Sequence, residues 1–186
     1  MNKLHLEYCG GPEWGKLVRE SIIPWVTGGI DLGDHLLEVG PGPGLTTDVL
    51  RERVPQLTCV EVDTTLAEPL RQRLSGTNVT VVDADATDLP FEAGTFSSAI
   101  CLTMLHHVPE AAQQDRLIAE MARVVRPGGV VLGTDNLDSP EFREAHIDDI
   151  CNPIDPATLA QRLAAVGLKN VEVTANPYAF RLRITV

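Results

Sequence analysis

The sequence predicts an α/β fold, a doubly wound, seven-stranded and mainly parallel sheet with an antiparallel pair of strands at its C-terminal end. Two observations carry that expectation. Along most of the 186 residues, short apolar runs alternate with segments of helical spacing, as buried strands and their crossover helices do. Near the end, "KNVEVTAN" and "YAFRLRITV" instead alternate apolar and polar residues around Asn176-Pro177, the pattern of a half-solvated hairpin.

In chain order, residues 13–26 form an amphipathic helix entered through the "CGGP" of residues 9–12. Five β-type runs follow: "HLLEVG" from His35, "LTCVEVD" from Leu57, "VTVVDAD" from Val79, "SSAICLTM" from Ser97 and "VVLGTD" from Val130. Helical spacing links them at residues 45–54, 65–74 and 111–125, the last with Leu117, Ile118, Met121 and Val124 on one face. "RPGG" at 126–129 ends that helix and turns the chain into the fifth strand. A further helix at 155–168 precedes the hairpin. With no repeat or linker, the expectation is one domain over 1–186 in three stretches: an N-terminal helix (1–34), a strand-and-helix half (35–135) and a C-terminal segment with the hairpin (136–186).

Composition narrows the partners. The net charge of −11, with scattered basic residues and few aromatics, supplies neither a basic stripe for phosphates nor a stacking platform for bases. The expected partner is a small molecule and no nucleic acid. Cys9, Cys59, Cys101 and Cys151 form no CxxC pair, which signals neither zinc nor a disulfide framework. Cys59 and Cys101 lie in apolar runs and read as core. No run approaches the roughly 18 apolar residues of a membrane span, and the N-terminus lacks a signal-peptide core. The expectation is no membrane span and a cytoplasmic protein.

The stretch "LLEVGPGPGL" at 36–45 hands the first strand to the first helix, where doubly wound folds bind their ligands. Glycines admit a ligand to the backbone and prolines hold the loop in shape. A dinucleotide fingerprint, G-x-G-x-x-G, would need glycine where Leu45 stands. Glu38, two residues before the loop, would repel a pyrophosphate and attract an ammonium group. A nicotinamide-dependent oxidoreductase therefore ranks below a protein for an amino-acid-bearing cofactor.

In these segments the chain resembles the class I S-adenosylmethionine-dependent methyltransferases, from about Leu36 to Val131 and more weakly beyond. The resemblance implies a Rossmann-like fold, S-adenosylmethionine as cofactor and S-adenosylhomocysteine as product. "LLEVGPGPG" resembles the cofactor loop, implying that Glu38 orients the methionine amino group and that Gly40, Pro41 and Gly42 pass under the cofactor. "CVEVD" resembles the second strand, implying Glu61 as the ribose acceptor beside Val62, with Asp63 as the alternative. "DADATDLPFEAGTF" resembles the adenine region, implying Asp85 for the exocyclic amine with Ala86 nearby, although Asp83 or Asp88 could cap a turn there. "LTMLHHV" resembles the segment after the fourth strand, implying Leu102 and Thr103 beside the cofactor. The family often has Phe-Asp where this chain has Phe96-Ser97, a position outside the cofactor site.

The implied reaction moves the sulfonium methyl group to a nucleophile on a small-molecule acceptor, with a non-catalytic cofactor-binding subunit as the alternative. His106 is the candidate general base and His107 a packing residue. Neighbours about 100° apart on a helix make a poor joint ligand pair, so no metal is expected. No NPPY-type stretch points to amino methylation of bases. The short segment at 136–155 leaves an open site or one completed in a homodimer, and His5, Glu7 and Tyr8 form either a lid hinged at 9–12 or a loose tail.

Overall fold

The computed structural model describes residues 2–186. Strands β1 (His35–Val39), β2 (Gln56–Glu61), β3 (Val79–Asp83), β4 (Phe96–Leu102) and β5 (Val125–Asn136) pair in parallel, and β7 (Ala179–Thr185) joins β5 antiparallel, with β6 (Val171–Ala175) antiparallel at its far side. The order is β3-β2-β1-β4-β5-β7-β6. The chain therefore winds outward from β1 through β2 to β3 and then returns to the other side of β1. Between the C-terminal ends of β1 and β4 this reversal opens a crevice.

The apolar runs divide between two cores by the two-residue period of a strand. Leu37, Val39, Ala99, Cys101 and Val131 face one core, and Leu36, Cys59, Ile100, Leu102 and Leu132 face the other. Helices α6 (Ala111–Val124) and α8 (Pro156–Ala165) cover the first face through Leu117, Ile118, Met121, Leu159 and Leu163. Helices α4 (Leu45–Leu50) and α5 (Thr64–Arg73) cover the second, together with Val18, Ile23 and Val26 of the N-terminal segment. Each buried Leu, Ile or Met contributes about 1.5–3 kcal/mol of transfer free energy, so both layers are needed.

Three places differ from the sequence reading. The single helix expected at 13–26 is three pieces: α2 (Pro12–Leu17), a π-helical turn (Val18–Ile22) and α3 (Ile23–Thr27). Pro24 has no N–H to donate back along the helix, and the wider turn before it accommodates the loss. Ahead of it, α1 (Lys3–Cys9) is formed and capped by the Asn2 side chain on the His5 N–H at 2.9 Å. Strand β5 starts at Val125, so "RPGG" lies inside it; a Cβ on Gly129 would stand 2.4 Å from the Ser97 carbonyl. A short helix, α7 (Pro140–Ala145), capped by Ser139, occupies the segment after β5.

Ser97 is an anchor, not a site residue. Its hydroxyl donates toward the carbonyls of Leu32 and His35 and accepts from the His35 N–H at 2.9 Å. Those bonds fix the approach to β1. Cys59 and Cys101 are buried, as the sequence implied.

Candidate functional site

The crevice at the strand ends is a cleft of about 370 Å³, lined by Gly40, Gly42, Glu61, Val62, Asp85 and Ala86 among others, within the size range of small-ligand sites. Beneath the N-terminal helices it adjoins a smaller recess, where Pro41, Leu102 and Thr103 form part of the wall. Nine of the residues singled out in the sequence thus meet in one place, although they come from four different loops.

The glycines of the loop face two different neighbours. Gly40 has φ +69°, and a Cβ there would meet the Met104 side chain at 2.9 Å. Gly44, also in the left-handed region, turns away from the cleft: a Cβ would stand 2.3 Å from Leu70 Cδ1 of α5. The third glycine therefore serves helix packing, while Gly40 and Gly42 line the cleft.

The two acidic residues of β1 and β2 have different surroundings. Glu38 lines neither the cleft nor the recess. Its Oε1 accepts from the Thr46 hydroxyl, and its Oε2 from the Thr47 hydroxyl at 2.7 Å and the Cys59 thiol at 3.3 Å. The resemblance implies that Glu38 orients an amino group directly or through water; here α4 brings two hydroxyls to the carboxylate first. Burial raises its pKa, and those donors pull it back. Glu61 sits on the cleft wall, accepting from the Gly42 N–H at 3.1 Å and the Asp63 N–H at 3.0 Å. Burial raises its pKa as well, against those two backbone donors. Asp63 is occupied as the cap of α5, accepting from Thr65. Asp85 accepts from the Thr87 N–H and hydroxyl through Oδ1, both at 2.8 Å, and lines the cleft.

The histidines depart most from expectation. Residues 105–107 are a 3-10 turn, not an α-helix, and the ring centroids of His106 and His107 lie 4.2 Å apart. His106 is 1% exposed and does not line the cleft. Its Nδ1 and backbone N–H both bind Asp135, at 2.6 and 2.9 Å, so the candidate base is turned inward by the carboxylate at the end of β5. His107 is on the cleft wall instead. His5 and His146 complete a group whose four ligand atoms all lie within 4.8 Å of one another. Burial and the neighbouring imidazoles push His107 down to about 3 and His5 to about 4. The expectation of no joint histidine site assumed helical geometry and could not foresee His5 and His146.

Sequence reasoning also missed Met104, Gln113, Asp149 and Ile150 on the cleft wall. Nothing local marks them. Among the described residues no helix is long and apolar enough to cross a membrane.

The model of the methyltransferase domain family matches residues 37–133, the span that builds the cleft from β1 to β5. Among curated proteins, the chain is 44% identical over 78 residues to ribosomal RNA small subunit methyltransferase A of Cupriavidus taiwanensis, covering 41% of this chain and 28% of that protein. It is 32% identical over 113 residues to the protein of the same name from Acidithiobacillus ferrooxidans, covering 54% and 42%. The chain thus spans well under half the length of these relatives in the matches. A crystal structure of a SAM-dependent methyltransferase from Aquifex aeolicus superimposes with a TM-score of 0.77 at 17% identity over the whole of both chains, which establishes the shared fold. The relatives' names overturn the expectation of a small-molecule partner and no nucleic acid. That expectation rested on the acidic net charge, the scatter of basic residues and the scarcity of aromatics, which are read over the whole chain and do not describe the potential at one cleft mouth.

Proposed function

The chain belongs to the methyltransferase domain family, and from that membership we propose that it transfers the methyl group of S-adenosylmethionine to a nucleophilic atom of an RNA acceptor. The cofactor, when bound, supplies a methyl group already activated on a sulfonium. The observation that carries the reading is Glu61, a buried carboxylate on the cleft wall whose oxygens are each held by one backbone N–H. A carboxylate oxygen has more than one lone-pair site, so Glu61 can accept both ribose hydroxyls while keeping the loop in register.

The remaining roles follow from placement. Gly40 and Gly42 admit the cofactor to the backbone, Pro41, Leu102 and Thr103 flank its methionine end, and Val62, Asp85 and Ala86 flank its adenosine end. Glu38 acts through Thr46 and Thr47 by holding α4 and its preceding loop against β1. Residues 1–34 act as the lid, since His5, Cys9 and Trp14 roof the recess beside Pro41. Methyl transfer is an in-line displacement, so alignment and exclusion of water carry much of the rate. A dedicated base is not required, and the inward-turned His106 is set aside for that role in favour of the acceptor's own basicity.

The RNA acceptor is supported by the names of the curated relatives. A single base presented to the cleft is the mode we take, since enzymes that modify a base bring it out of the stack. The test is methyl-labelled cofactor incubated with small-subunit ribosomal RNA, naked and in ribosomal particles, alongside calorimetric titration of the cofactor. Label in the RNA is the expected result. Cofactor binding without labelled RNA would overturn the acceptor and leave the cofactor site standing; failure to bind the cofactor would overturn both.

A further inference from the structure

We propose that His5, His106, His107 and His146 bind one divalent transition-metal ion, zinc by ligand chemistry, which clasps α1 and the end of α7 to the turn after β4. The four residues come from three separate parts of the chain, and their ring centroids lie between 4.2 and 6.1 Å apart.

The hydrogen bonds around the group identify which nitrogens are free to ligate. His106 Nδ1 is bound to the Asp135 carboxylate at 2.6 Å, His146 Nδ1 to the Phe142 carbonyl at 2.6 Å, and His107 Nδ1 to the Ile150 carbonyl at 3.2 Å. All three partners are acceptors, so each Nδ1 carries the proton and each Nε2 presents a lone pair. Outer acceptors that fix the tautomer and aim the other nitrogen are what ligating imidazoles carry. His106 Nε2, His146 Nε2 and His5 Nδ1 are buried with no hydrogen-bond partner.

A packed histidine in an ordinary core is satisfied at both nitrogens, because an orphaned buried acceptor is costly. Here the Nε2 atoms of His106 and His146 are buried and receive no hydrogen bond. A cation at the centre of the group satisfies both at once. Four neutral nitrogen ligands suit a borderline ion such as zinc, cobalt or copper and do not suit magnesium or calcium, which take oxygen. The nearby carboxylates of Asp135 and Asp149, the latter 3.7 Å from His107 and 3.9 Å from His5, offset the ion's charge. Tetrahedral zinc with bonds of about 2.0–2.1 Å requires the ligand atoms to draw together from their present spread. Movement of His5 with the seven-residue helix α1 can supply that closure.

The test uses the full chain freed of any histidine tag, titrated with cobalt(II) as a spectroscopic stand-in and analysed for bound zinc. One ion per chain is expected, with the visible absorption of tetrahedral cobalt. His146→Ala and His5→Ala should each weaken binding about 100-fold or more, on the scale of losing a direct ligand rather than an outer partner. His5 lies on the short N-terminal helix, so His5→Ala should keep the fold, checked by circular dichroism. Zinc should slow amide exchange over residues 3–9 in the parent chain. The absence of stoichiometric binding, or binding unchanged in both variants, would overturn the site. Binding without added protection of residues 3–9 would overturn the clasp. Cofactor titration of the parent chain without added metal reads the methyl-transfer proposal separately, since His5 also roofs the recess.

Discussion

Two regions flank the glycine loop and are built for different ends. On the underside, Glu38 and Gly44 face α4 and α5, and their polar and steric needs are met inside the protein by Thr46, Thr47, Cys59 and Leu70. On the rim, Glu61 and Asp85 face the cleft, each held by a pair of local donors. The comparison shows that an acidic residue at the end of a parallel strand is committed by what the next helix brings to it. Thr46 and Thr47 commit Glu38 to structure, whereas backbone donors alone leave Glu61 able to bind.

Substitutions sharpen that contrast. Glu38→Ala removes the partner of two buried hydroxyls and opens a cavity, and should lower stability by about 3 kcal/mol, seen as a reduced Tm in the cofactor-free chain. An unchanged Tm would move Glu38 to the rim. Gly44→Ala should come next, about 2.5 kcal/mol, because its Cβ collides with Leu70 at a left-handed φ; chemical denaturation reads it. On the rim the effect should shift from stability to affinity. Glu61→Ala should weaken cofactor binding by about 2 kcal/mol, roughly 30-fold, with a smaller fall in Tm than Glu38→Ala. Calorimetry that found wild-type affinity would remove Glu61 from the ribose role. Asp85→Asn retains the acceptor for Thr87 but loses the anionic oxygen, and about 1 kcal/mol of affinity is expected to go with it.

Legibility followed the same division. The strands of the parallel half could be read because a strand covered on both faces needs continuous apolar sequence, and Leu36 to Val39 and Ala99 to Leu102 supply both cores in alternation. Gly40 and Gly42 could be read because backbone at a left-handed φ on a cleft wall favours residues without Cβ. The break in the N-terminal helix at the π-turn was hidden, since its apolar spacing is helical on either side and only Pro24 marks it. The inward turn of His106 was hidden because its cause, Asp135, arrives from the end of β5.

By itself, then, the sequence determined the alternation of strands and helices, the hairpin at the sheet edge, the glycine loop and the acidic residues at or near the C-terminal ends of the first three strands. All of these are expressed in the local period and chemistry of short segments. Only the tertiary structure decided which of those acids faces the cleft and which histidines meet. His5, the adjacent pair His106 and His107, and His146 come from three distant parts of the chain. They are neighbours because the reversal of strand order brings the turn after β4 to the crevice, and α1 and the segment after β5 pack across the same end of the sheet.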